Sequence, residues 1–136
     1  MRLPAVLLAL LLVPACLAAA PYAAACAGTI VPPALLRAVA IVESGERDDA
    51  VGDDGISVGR YQINELYHAE RARLYGEYDA RDPDAAGRIA ARILEDNFRR
   101  LGSWRLAVAG YRQGVRGVRR DGETVWYWER VRRAWR

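Results

Sequence analysis

Leu35-Leu36-Arg37-Ala38-Val39-Ala40-Ile41-Val42-Glu43-Ser44-Gly45 follows two prolines, Pro32 and Pro33. A first-turn proline loses no internal hydrogen bond, so the pair marks a helix start. Leu35, Leu36, Val39 and Val42 recur at three- and four-residue steps, the signature of one buried face. Glu43 lies four residues after Val39, so its carboxylate leaves the helix beside that apolar face. Gly45 supplies the stop. The helix is therefore predicted to begin at Pro33 and to end with an acid held against the core.

That position raises a carboxyl pKa for three reasons. The helix C-terminus carries partial negative charge, burial disfavours the ionised form, and acids crowd the residues that follow. Between Glu43 and Asp54 six acids stand against the single Arg47. A carboxylic acid kept protonated near neutral pH is the species that acid-catalysed cleavage of a glycosidic bond requires. The loop that follows carries aspartates in pairs, Asp48-Asp49 and Asp53-Asp54, rather than at the alternate positions of a calcium loop. No metal or cofactor is called for. His68, the one histidine, lacks partners for a metal site or a catalytic triad.

Upstream, the chain reads as an export signal: Arg2, a leucine-rich core from Leu7 to Val13, then small residues. No charge occurs between Arg2 and Arg37, so an uncleaved anchor is the alternative, disfavoured by Pro4, Pro14 and Pro21. Ala23-Ala24-Ala25 before Cys26 fits a cleavage site, which gives residues 1–25 as signal peptide and 27–136 as one domain. Val13-Pro14-Ala15-Cys16 is a weaker, lipoprotein-type site. Cys16 and Cys26 are the only cysteines, so loss of Cys16 with the signal leaves no internal disulfide. The expected location is the cell envelope, exported or periplasmic, with membrane contact only through an uncleaved signal or a lipid anchor.

The formal charge of +3 conceals a polarity, because eight arginines between Arg112 and Arg136 face only Asp121, Glu123 and Glu129. Such an end suits anionic partners. The export signal and the lack of any nucleic-acid motif exclude DNA and RNA. An arginine-rich final helix bearing Trp126, Trp128 and Trp135 also admits a membrane-surface reading.

Three more helices are legible. Asn64 caps one that runs to Tyr75, with Gly76 as its stop. Asp82-Pro83 opens another, carrying Ile89, Ile93 and Leu94 and ending at Gly102. Ser103 caps a short helix from Trp104 to Arg112, which Gly114 closes. A turn from Gly114 to Gly122 and a last helix from about Glu123 to Trp135 complete the chain. The fold class is mainly α, with at most a small hairpin near Ile56 to Gln62. Among Trp126, Tyr127, Trp128 and Trp135, one or two are expected in the core, leaving another free for a groove.

Four stretches, in this order, resemble the catalytic domain of the soluble lytic transglycosylases, a lysozyme-like family that cuts bacterial peptidoglycan. Ala38 to Gly45, with Ala50-Val51 beyond it, is similar to the family's helix ending in Glu-Ser. Gly59-Arg60-Tyr61-Gln62-Ile63 resembles Gly-Leu-Met-Gln-Ile, and Gly-Arg-Tyr-Gln occurs in phage-type lysozyme-like enzymes. Ala107 to Gly114 resembles the segment containing Ala-Tyr-Asn-Ala-Gly. Glu123 to Val131 resembles Glu-Thr-x-x-Tyr-Val. The resemblance implies a lysozyme-like single domain and glycoside hydrolase family 23 type chemistry. Glu43 would be the catalytic acid. Gln62 would bind sugar, Tyr111 and Tyr127 would stand near Glu43, and Ser57 and Tyr127 are candidates to hydrogen-bond Glu43 or the substrate's acetamido group. Three departures are Arg112 for the usual asparagine, Gly52 for a common serine, and Arg60-Tyr61 for Leu-Met.

By that resemblance the chain cleaves the β-1,4 bond between N-acetylmuramic acid and N-acetylglucosamine and leaves 1,6-anhydro ends, with one glutamate acting as acid and then as base. Two alternatives are a hydrolytic lysozyme, with Asp53 or Asp54 as second carboxylate, and a non-catalytic peptidoglycan-binding module. Peptidoglycan strands are the expected partner. A secretion or conjugation apparatus that needs a local gap in the wall would suit a domain this small.

Overall fold

The computed structural model describes residues 21–136. The leucine-rich core of the expected signal and the lipoprotein-type site at Cys16 lie outside the described residues. Residues 21–26 are helical, and the expected boundary at 25–27 falls within and just after this turn. Tyr22 is only 1% exposed and belongs to the hydrophobic core with Cys26. Burial followed by its bond to Glu46 pushes the Tyr22 phenol up to about 12. Among the described residues, no helix is long and apolar enough to cross a membrane.

The helix α1, Pro33–Ser44, occupies the predicted span. Leu35, Leu36 and Val39 have no exposed surface, and Val42 packs on the same core. Gly45 adopts φ 65°, which lets its N–H reach Ile41 O and the N–H of Glu46 reach Ala40 O. This αL stop turns the chain sharply just beyond Glu43.

The loop after α1 builds a small antiparallel sheet from β1 (Val51–Gly52), β2 (Ser57–Val58) and β3 (Ile63–Asn64), in that order. Gly52 faces Ser57 and Ser57 faces Asn64. A single-turn 3-10 helix, Asp53–Gly55, joins β1 to β2. The sheet thus has one strand more than a hairpin, because residues 63–64, expected to lead into a helix, pair with β2.

Asn64 does cap, accepting from Leu66 N, but what it caps is a 3-10 turn, Glu65–Tyr67, before α2, His68–Tyr75. The helix α3, Pro83–Leu101, has both predicted ends: Asp82 accepts from Asp84 N and Ala85 N, and Gly102 takes φ 86°. The helix α4 runs from Trp104 to Asp121 and is capped by Ser103. Gly114 breaks it with φ 74° and ψ 155°. Beyond that break residues 115–121 are helical, where a turn was expected. Val115 and Val118 are buried on one side, and that apolar spacing outweighs the glycines and arginines between them. The helix α5, Val125–Ala134, closes the chain. It packs on α1 and α4, while α3 lies along α4. The result is a mainly helical domain whose core gathers α1, α3 and α5 around Leu36, Ile89, Leu94 and Val131.

Candidate active site

The last turn of α1 places Glu43 on the wall of a cleft of about 650 Å³. The sheet and its connecting turns contribute Asp53, Ser57 and Gln62, the 3-10 turn before α2 contributes Tyr67, α2 contributes Arg71, α3 contributes Asp96 and Asn97, and α4 contributes Tyr111 and Arg112. The cleft therefore draws charged and aromatic groups from the sheet region, from α2 and from the long helices.

Of the five residues singled out from sequence, four line this cleft: Glu43, Ser57, Gln62 and Tyr111. The fifth, Tyr127, comes from α5, and its buried hydroxyl donates to Oε1 of Glu43. Burial pushes the Glu43 carboxyl above its ordinary range. The Tyr127 bond and the Arg112 charge pull it back, and the neighbouring Asp53 charge pushes it further up. The net direction is upward, as the helix position predicts. Burial also drives the Tyr127 and Tyr111 phenols well above their usual values, with the Glu43 charge adding to both. They stay protonated and act as donors.

The remaining candidates have neighbours of their own. Tyr111 donates to Tyr61 O across 2.8 Å, fixing its ring on the cleft wall. Ser57 donates to Asp53 Oδ2 at 2.5 Å, so its hydroxyl is joined to Asp53 rather than to Glu43. Gln62 sits at φ 48° and sends both donors of its amide into the loop, to Ala50 O and Gly59 O. It braces the sheet and leaves its carbonyl oxygen as the atom available for further bonding.

Two departures from the family pattern acquire physical reasons here. A Cβ on Gly52 would lie 2.5 Å from Gln62 Oε1, so the serine common at this place would collide with the bracing amide. Arg60 grips both carboxylate oxygens of Asp48 and donates to the Tyr22 hydroxyl, which in turn donates to Glu46. Tyr61 packs edge-on against Tyr22, with ring centres 6.5 Å apart. Arg60 and Tyr61 therefore face the helical turn at residues 21–26.

The wall formed by Tyr67 of the 3-10 turn and Arg71 of α2 was not singled out from sequence. No local pattern marks it, because α2 is predominantly polar and comes to share a cleft with Glu43 only through the fold. Among the aromatics, Tyr127 is buried and Trp128 and Trp135 pack on the core, while Trp126 is left 49% exposed. It does not line the cleft. Arg112 lies over its ring at 4.6 Å.

The cleft gathers the glutamate at the end of α1 and the tyrosine held against it. The sequence model described as the transglycosylase SLT domain matches residues 21–126, and the chain belongs to that family. The match begins at the helical turn that carries Tyr22. The family acts on peptidoglycan. No curated protein and no solved structure matches the chain.

Proposed function

We propose that this protein is a peptidoglycan lytic transglycosylase in which Glu43 serves first as acid and then as base. The observation that carries this reading is the Glu43 carboxyl itself, held in a sugar-sized cleft, raised in pKa by burial and oriented by Tyr127. The protonated carboxyl donates to the glycosidic oxygen while the bond from C1 of N-acetylmuramic acid to that oxygen breaks. The acetamido oxygen of the same sugar closes on C1 and takes up the developing positive charge. The Glu43 carboxylate then removes the proton from the C6 hydroxyl, whose oxygen attacks C1 and displaces the acetamido oxygen. Glu43 ends protonated, the product is a 1,6-anhydro sugar, and no water is consumed.

A hydrolytic outcome has one observation in its favour. Asp53 lines the same cleft, and its carboxylate is pinned by Ser57. A second fixed carboxylate is what an ordinary glycosidase uses to direct water. Mass spectrometry of muropeptides released from purified sacculi decides between the two, since hydrolysis adds the mass of one water to each product. Anhydro ends are expected. Absence of any release, with the protein co-sedimenting with sacculi, would leave a binding module instead.

The export signal, a periplasmic or envelope location, and service to a secretion or conjugation apparatus complete the proposal. Their support is the apolar leader and the small size of the domain.

A further inference from the structure

The cleft holds a cation that the chain itself does not neutralise. Arg112 lines the cavity beside Glu43 and lies 4.6 Å from the Trp126 ring centre and 5.7 Å from that of Tyr127. Arg130 lies against the same Trp126 ring at 5.5 Å. Among the described residues, neither arginine forms an ion pair, although nine other arginines do. Aromatic faces steady a guanidinium without cancelling its charge, and they leave its N–H fork free to bond elsewhere. The exposed indole thus acts as a post for two cations at the rim of the cleft.

We infer that Arg112, held on Trp126 and Tyr127 and supported by the field of Arg130, is a specificity-determining residue that binds a carboxylate of the substrate. The inference rests on the peptidoglycan reading of the cleft. A planar guanidinium matches a carboxylate in two-point geometry, which a neutral asparagine at this place does not. Peptidoglycan offers that group from two sources. One is the lactyl carboxyl of muramic acid, which is free where the stem peptide has been removed. The other is the stem peptide, whose residues carry carboxylates of their own. A neutral β-1,4 glycan such as a chito-oligosaccharide offers neither.

The Arg112 charge also opposes the raised pKa of Glu43. A bound carboxylate offsets that opposition, so occupancy of the rim favours the protonated acid at the moment it is needed.

The test measures binding by calorimetry with the full chain carrying Glu43→Gln, so that no ligand is consumed. Arg112→Asn and Arg112→Lys are each compared on that background with three ligands: stem-bearing glycan fragments, fragments stripped of peptide, and chito-oligosaccharides. Arg112→Asn is expected to raise Kd about five- to tenfold for carboxylate-bearing fragments and less than about twofold for the neutral glycan, with Arg112→Lys recovering much of the loss. A loss with stripped fragments assigns the lactyl carboxyl, and a loss confined to stem-bearing ones assigns the peptide. Equal losses on all three ligands, or none on any, overturn the inference. Wild-type protein is assayed on sacculi in parallel. Clearance there with no selective loss at Arg112 refutes the carboxylate site alone, whereas no clearance and no binding by any variant refutes the peptidoglycan reading beneath it.

Discussion

The hydroxyl of Tyr127 donates to Oε1 of Glu43 across 84 residues of sequence, joining the last helix to the end of the first. This bond favours the ionised carboxylate, while burial of Glu43 favours the neutral acid, and burial prevails.

Tyr127→Phe should keep the packed ring and lose the donor. Glu43 then titrates higher, so the alkaline limb of the pH–activity profile, set by loss of the acid's proton, moves to higher pH. A limb that stays in place or moves down would show that the bond does not govern the acid. Loss of the bond is expected to cost about 1–2 kcal/mol in denaturant unfolding.

Glu43→Gln should reduce release of soluble muropeptides by at least about 100-fold while retaining the fold. It should also stabilise the protein. A carboxyl whose folded pKa is raised binds its proton more tightly in the native state than in the unfolded chain, so native stability falls as pH rises from the ordinary value of 4.5 through the folded one. The amide carries no such penalty. Above that window the variant should be the more stable of the two, and below pH 4.5 the two proteins should coincide. Parallel unfolding curves at every pH would contradict the buried-acid reading.

Gly52→Ala tests the brace behind the cleft. The backbone at Gly52, with φ −135°, accepts alanine, so the new Cβ acts only by displacing the end of the Gln62 side chain. Loss of the two amide bonds to Ala50 O and Gly59 O should cost about 1–2 kcal/mol and lower activity with it. If Gly52→Ala in a Gln62→Ala background costs as much as it does alone, the collision is not the cause.

Tyr22 sets a requirement on processing. Tyr22→Ala should cost about 3–5 kcal/mol, as for other large buried aromatics, and a chain beginning at Ala27 should lose at least as much. If the leader is removed as proposed, the new N-terminus, read by mass spectrometry, is therefore expected at or before Pro21. A stable, active product starting at Cys26 or Ala27 would contradict this.

Much of the fold was legible because its signals are local. Prolines at the starts of α1 and α3, Asp82 and Ser103 as caps, and glycine stops at Gly45, Gly76 and Gly102 each act within one turn of chain. Reading failed where local and long-range preferences disagree. Gly114 breaks α4 as its conformation demands, yet helix resumes at once because Val115 and Val118 have a core to enter. Residues 63–64 became a strand because β2 was beside them, a neighbour that no spacing in sequence announces.

By itself the sequence determined that an acid would stand at the end of a half-buried helix, since period, proline and glycine fix that helix without reference to anything distant. Only the tertiary structure decided what surrounds the acid: Tyr127 as its donor, Asp53 as its like-charged neighbour and Arg112 as a cation without an ion-pair partner. Those partners lie in separate elements, and their distances from Glu43 depend on how helices and sheet pack rather than on the order of residues along the chain.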